Sequence, residues 1–462
     1  MFTADSHFWY LRTQNFIESV KTHKWAETYQ NPKPGVTIMW LSGISMDAYF
    51  NYYRSKHNFV PYIFSSDIFP RLDFIVKTPL VILCLLSVLG LYLLIRNVVD
   101  ENTAFFSVVF LAFQPFYVGV SRFFHGDGTL TAFMTASVCL LFYYVFKGRK
   151  KLVLILCAVT GGLAFLTKMQ AVYLIPYTYL ILLVSTYAEK RKLVDLLKDG
   201  FLWTGIFVIT IFVLFPALWV KPVVTLSDMY REATIATESG VETSYDSLYI
   251  GQLVRIFTPI SILFFLAGLV FFFSKVKNQL KDKNLFSTYC FLFILFYLIQ
   301  MQIIDKKSSR YLLPLFPFVS IFCAYGFLNT VQKINTKMVR IVLSFILVMY
   351  LILNIASYAP HYTAMTETAP WGSLSYEAAN YLNQKKKAHL LNVLFTPKQQ
   401  TFRPFFKGTT YGKGETLPER ATIDYLVVSK EADIPKGYDQ CKYEYSIVFK
   451  GREFWRIYSC DK

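Results

Sequence analysis

Residues 75–97 read IVKTPLVILCLLSVLGLYLLIRN, with charge only at Lys77 and Arg96. A helix needs about 20 apolar residues to cross roughly 30 Å of hydrocarbon, so this stretch is long enough to span a membrane. Nine further apolar runs follow, at about 103–120, 129–147, 150–168, 170–187, 200–219, 251–274, 285–304, 311–329 and 338–357. The 462-residue chain is 54% hydrophobic and 18% aromatic, with only 17% charged residues, too little polar surface for a soluble protein of this length. These features predict an α-helical polytopic membrane protein of about ten spans.

The net charge of +17 does not point to nucleic acid, because of where it sits. Lys147, Arg149, Lys150, Lys151 and Lys190, Arg191, Lys192 fill short gaps between apolar runs. That is the pattern of cytoplasmic loops facing anionic headgroups. One alternate set of gaps carries roughly twice the Lys and Arg of the other, which orients the bundle. The poorer set (121–128, 168–170, 221–249 and 305–310) is expected outside, with both chain ends. An external N-terminal stretch needs an anchor, so a further first span ahead of Met1 is expected. The localisation predicted is a multi-pass plasma-membrane protein with its polar face extracytoplasmic.

Three regions follow. Residues 1–70 form a polar, aromatic first loop, 71–358 the transmembrane bundle with a longer external loop at 220–250, and 359–462 a small extracytoplasmic α/β domain. In the first, Phe8, Trp9, Leu11, Phe16, Ile17 and Val20 fit one stripe of an interfacial helix that Pro32 and Pro34 would end. Val36 to Ser45 reads as a short buried helix. In the last, Ser373 or Ser375 would cap a helix through Asn383, and Leu390–Phe395 and Ile423–Val428 read as strands. Cys441–Phe449 and Arg452–Cys460 alternate around Lys450-Gly451 as a hairpin, which sets Cys441 opposite Cys460 within disulfide range. Either that bond or two free thiols fits the sequence. The other five cysteines lie in apolar runs as packing residues.

Polar residues collect on the outward side: Asp5, Arg12, Lys33, Arg122, His125, Asp127, Lys168, Asp305, Lys306, Lys307 and Arg310. Charged groups at the mouth of a bundle act strongly because they are poorly solvated. Arg71, Lys77 and Lys221 read instead as side chains snorkelling to the interface. A carboxylate gains nothing from snorkelling near anionic lipid, so Asp5 and Asp127 stand out.

Asp5, Trp9, Arg12 and Phe16, followed by Pro34-Gly35-Val36-Thr37-Ile38-Met39-Trp40-Leu41, resemble the first external loop of bacterial family 39 glycosyltransferases. These are relatives of the protein O-mannosyltransferases and the lipid A aminoarabinose transferases, with the membrane GT-C fold. Ser121-Arg122 with Asp127 and Leu130, Pro216-Ala217-Leu218-Trp219 with Pro222, Arg255-Ile256-Phe257-Thr258-Pro259, and Arg310-Tyr311-Leu312-Leu313-Pro314 with Pro317 resemble later family segments in order. Two positions depart. Ser6 stands where the family usually has a second acid, and Lys33 where it often has His.

The resemblance implies inverting transfer of a monosaccharide from a polyprenyl-phosphate donor to an acceptor hydroxyl on a protein, lipid or glycan. On this reading Asp5 is the general base and Asp127 its partner carboxylate. Lys33, Arg310, Lys306 and Lys307 bind the donor phosphate, and Arg12, Arg122, His125 and Tyr311 line the substrate. No sequence feature demands a metal, although Asp5 and Asp127 could share one. Membrane lipids are the other expected partners; nucleic acid is not. The alternative is a transporter or flippase of lipid-linked sugars, which would place its ionisable groups at mid-membrane.

Overall fold

The computed structural model describes residues 2–238, 249–281, 285–304, 307–363, 372, 374–396, 398–415, 422–430 and 432–460. Helix α1 (Ala4–Lys21) opens the chain and starts on a capping box. Thr3 Oγ1 accepts from the Ser6 backbone N–H, and the Ser6 side chain accepts from the Thr3 N–H. It stops at Thr22, with His23 in the left-handed region, well before Pro32 and Pro34. Those prolines lie in a separate connection, so they do not end it. The buried stripe of α1 is Trp9, Tyr10, Thr13 and Phe16, while Phe8 faces outward.

Helix α2 (Val36–His57) starts at Gly35, whose φ of +61° suits glycine, and runs 22 residues rather than stopping near Ser45. Trp9 fills the space where a Cβ of residue 35 would sit. Helix α3 (Phe69–Val98) is the run that opened the sequence reading. It meets α1 through Tyr10, whose hydroxyl donates to Asp73 at 2.7 Å, and Lys77 pairs with the same carboxylate at 2.7 Å. Lys77 is therefore a buried partner, not a snorkelling one.

The bundle continues through α4 (Glu101–Ala112), α5 (Pro115–Ser121), α6 (Gly126–Phe146), α7 (Lys151–Thr167), α8 (Leu174–Ala188) and α9 (Leu193–Leu214). Next come α10 (Ala217–Val220), α11 (Pro222–Glu238), α12 (Tyr249–Ile256), α13 (Pro259–Lys281), α14 (Phe286–Ile303), α15 (Phe316–Gln332) and α16 (Lys337–Ala356). The protein is a multi-pass membrane protein. Among the described residues seven helical segments are long and apolar enough to cross, and α4 with α5 makes an eighth if a 67° bend at Pro115 is allowed. Two of the ten expected spans are shorter: α7 has 17 residues, and Pro259 breaks the 251–274 run into α12 and α13. Within the bundle, Gly268 of α13 and Gly326 of α15 each face the other helix's backbone with no room for a Cβ, so these helices touch closely.

After α16 come helix α17 (Ser375–Asn383) and a five-stranded sheet: β1 (Asn392–Phe395), β2 (Thr409–Gly412), β3 (Tyr425–Ser429), β4 (Lys442–Phe449) and β5 (Arg452–Ser459). The order is β2-β1-β3-β5-β4, parallel across β2-β1-β3 and antiparallel beyond. Its core is Val393, Phe395, Val427, Trp455 and Ile457 under Ala378 and Leu382 of α17. The α17 N-cap is Leu374 in the left-handed region, not a serine; Ser375 is already helical, and Ser373 lies outside the described residues. In the hairpin, Phe449 pairs with Arg452. The register slips between Tyr443 and Tyr445 and slips back between Ile447 and Val448. The two irregularities cancel, and Cys441 and Cys460 form a disulfide with Cα atoms 4.2 Å apart.

Candidate active site

Four separate segments bring charge to one end of the bundle. Asp5 sits in the first turn of α1, where the helix N-terminus favours a carboxylate. Asp127 occupies the same position on α6, behind His125 at its N-cap. Lys168 ends α7, and Arg310 lies in the 3₁₀ turn Ser309–Leu315 before α15.

Arg310 joins the two acids, with Nη1 3.2 Å from Asp5 Oδ2 and Nε 3.8 Å from Asp127 Oδ2. His125 also lies between them, Nδ1 2.8 Å from Asp127 Oδ2 and Nε2 3.6 Å from Asp5 Oδ2. Lys168 donates to Asp127 Oδ1. Gly126 makes that approach possible, because a Cβ there would meet the Lys168 stem at 3.2 Å. Tyr311 forms a wall, with Lys168 Nζ 5.1 Å and the Arg310 guanidinium 5.6 Å from its ring. Trp9 sits edge-on to the His125 ring at 6.1 Å.

Depth separates the two acids. The Asp127 side chain is 3% exposed and that of Asp5 40%. Burial alone would raise the Asp5 pKa, but His125 and Arg310 hold it below the usual carboxylate range. Burial pushes His125 down to about 4 against the pull of Asp127, so its imidazole is neutral at pH 7. The arrangement is an ionised, half-exposed carboxylate beside a buried ion-pair network. It can accept a proton from a hydroxyl and offer a guanidinium to an anion. Among the described residues no group of three or more acids, His or Cys is placed to hold a metal ion.

Residues 60–219 match the family model described as dolichyl-phosphate-mannose-protein mannosyltransferase. No curated protein matches the sequence. The crystal structure of ArnT from Cupriavidus metallidurans in the apo state aligns with TM-score 0.53 and 13% identity, covering 97% of this chain and 92% of that one. The ArnT structure bound to undecaprenyl phosphate aligns at TM-score 0.51 and 13% identity, covering 97% and 93%. The chain shares the fold of these ArnT structures, a GT-C-like bundle with a small C-terminal sheet.

Within this bundle the expected site residues separate. Asp5, His125, Asp127, Arg310 and Tyr311 come together. Arg12 lies about two turns beyond Asp5 along α1, its guanidinium 5.2 Å from the Trp9 ring and 5.9 Å from Phe8. Arg122 stacks over Tyr362 at 5.2 Å. Lys33 forms an ion pair with Glu232 of α11 at 2.9 Å rather than joining the acids. Lys307 donates to the Met301 and Gln302 carbonyls and covers the Tyr249 ring. Asp305 and Lys306 lie outside the described residues.

Lys168 joins this cluster through Asp127; in the sequence it is only a lone cation in a three-residue gap between two apolar runs. Ser6 is accounted for by the helix itself. It is fully buried and satisfied by Thr3, so its side chain serves the cap rather than the site.

Proposed function

We propose that this protein transfers a monosaccharide from a polyprenyl-phosphate donor to an acceptor hydroxyl, with inversion, on the extracytoplasmic side of the membrane. The observation that carries this is Asp5: a half-exposed carboxylate kept ionised by Arg310, at one end of a GT-C-like bundle. A donor anchored by its prenyl chain would lie in the apolar bundle with its phosphate near this end. Asp5 takes the hydroxyl proton as the acceptor oxygen attacks the anomeric carbon. The carbon–phosphate oxygen bond breaks with its electron pair on the leaving lipid phosphate. Arg310 is placed to favour that growing charge, since a guanidinium binds phosphate oxygens in pairs.

Asp127 acts through its neighbours. It keeps Lys168, His125 and Arg310 in position and so fixes the geometry at Asp5. Lys33 is held by Glu232 and Lys307 by backbone carbonyls, so neither is assigned to the donor; Arg12, Arg122 and Tyr311 are the proposed surroundings of the substrate. The charge asymmetry of the loops supports the extracytoplasmic placement. The ArnT structure bound to undecaprenyl phosphate supports a carrier of that class. The match of residues 60–219 makes mannose the first sugar to try.

The test uses the full chain in lipid nanodiscs, given polyprenyl-phosphate mannose and a membrane extract as acceptor source. Radiolabel moving into the extract supports transfer. Donor that is carried across a proteoliposome membrane intact, with no label transferred, would replace the reading with a flippase.

A further inference from the structure

The inner cluster is balanced in charge. Two carboxylates, Asp5 and Asp127, face two fixed cations, Lys168 and Arg310, with His125 neutral between them. A lipid phosphate that leaves a phosphodiester gains a second negative charge. Cations already committed to carboxylates compensate it only in part, so a phosphate site here calls for further positive charge near Asp5.

Two further cations lie near enough to act on the Asp5 charge. One is Arg12, seven residues on along α1 and so on the same face of that helix. The other arrives from the far end of the chain. Strand β1 ends at Phe395, and the chain then passes through Lys398 into a short turn, Gln399–Thr401, that packs against α1. This is the carboxyl end of the parallel part of the sheet, the edge at which such sheets form ligand crevices.

The loop is seated firmly. Thr401 Oγ1 and Ser375 Oγ lie 3.0 Å apart in a buried hydrogen bond. The Phe405 ring packs on Phe2 at 6.0 Å and Phe69 at 5.5 Å, and Gly372 leaves no room for a Cβ beside the Phe2 carbonyl. Lys398 itself is exposed, and its charge acts on the Asp5 carboxylate. Among the described residues it is in no ion pair with a carboxylate.

We infer that Lys398 is a substrate-binding residue supplied by the C-terminal sheet, forming with Arg12 a cationic rim over Asp5 that holds a phosphate-type anion. The transfer reading above suggests what that anion is, but the rim itself does not depend on turnover. The anion has two possible sources, the phosphate of the lipid carrier or a free phosphate group such as an acceptor carries. The sheet is then part of the site and not only an appended domain.

Binding to the full chain in phosphatidylcholine nanodiscs tests this, with undecaprenyl phosphate and inorganic phosphate titrated separately. Lys398→Glu should weaken undecaprenyl phosphate by about tenfold and Lys398→Ala by a few-fold, with Lys398→Arg close to wild type. Lys436→Glu, an exposed change of the same charge on a distant turn, should bind as wild type does. Loss confined to undecaprenyl phosphate identifies the carrier as the source; loss confined to inorganic phosphate identifies a free phosphate group. Unchanged affinity for both in Lys398→Glu and Lys398→Ala, or a wild type that binds neither, overturns the inference. Because no sugar moves in this assay, a failed transfer experiment and a failed rim are told apart.

Discussion

Replacing Arg310 with alanine separates the roles that the geometry combines in one side chain. Arg310 Nε lies 3.8 Å from the buried Asp127 carboxylate. At an effective dielectric of about 20 that attraction is about 4 kcal/mol. Desolvation of the guanidinium offsets part of it, and Lys168 remains as a partner for Asp127. The net loss of stability is therefore expected at about 1–3 kcal/mol, below the about 3–5 kcal/mol for stripping a buried charge of its only partner.

Catalysis should suffer more. Loss of one group that stabilises developing charge costs about 10²–10³-fold in kcat. The pH profile carries the most specific signal. Asp5 is useful as a base only when ionised, and Arg310 helps hold its pKa below the ordinary 3.8. Wild-type kcat/KM should therefore persist into acid and fall only as pH drops through that lowered value. In Arg310→Ala the acid limb should move to higher pH. Arg310→Lys keeps the charge but not the fork, so it should restore the limb more fully than the rate. Initial-rate transfer assays from pH 3 upward, with thermal unfolding followed by circular dichroism, report both quantities. Arg310→Ala with wild-type kcat/KM and an unmoved acid limb would refute the reasoning.

Three other changes probe how the site is held. Ser6→Ala leaves the buried Thr3 N–H without its acceptor, while Thr3 Oγ1 keeps the residue-6 N–H; this should cost about 1–2 kcal/mol in thermal unfolding and loosen the turn that carries Asp5. Gly35→Ala forces a non-glycine residue to a φ of +61° and pushes Trp9 off its seat beside His125; a loss of about 2–4 kcal/mol and a fall in transfer rate are expected. Replacing Cys441 and Cys460 together by serine opens a closure of 19 residues and should cost the sheet about 3 kcal/mol, seen as faster limited proteolysis of the C-terminal part with the helical bundle still resistant.

The membrane class was legible because each apolar run is continuous over the length a bilayer requires, a property local in sequence. Its limits were local too. Pro115 and Pro259 turned expected single spans into a bent pair and a broken pair, and Asp73 made a buried partner of Lys77 from a different turn of the same helix. The hairpin register reached Cys441 and Cys460 because two irregularities cancel, which alternation alone does not reveal. Strand β2 carries no such signal, because Thr409-Thr410-Tyr411-Gly412 is a short edge strand without an apolar alternation.

At the site, sequence named residues but not partners. Asp5 and Arg310 are 305 positions apart, and only the packing of α1 beside the Ser309–Leu315 turn joins them. Lys168 and Lys398 had no motif to mark them. Lys33, marked by a Pro-Gly neighbour, is taken up by Glu232, whose approach no local pattern foretells.

The most direct test of the central claim is Asp5→Asn in the nanodisc transfer assay with a polyprenyl-phosphate sugar. The substitution keeps size and most hydrogen bonding but removes the proton acceptor. Transfer should fall by about 10²–10⁴-fold, with undecaprenyl phosphate still bound and the thermal unfolding temperature within a few degrees of wild type. Asp5→Asn that transfers at the wild-type rate would contradict the assignment of Asp5 as the base.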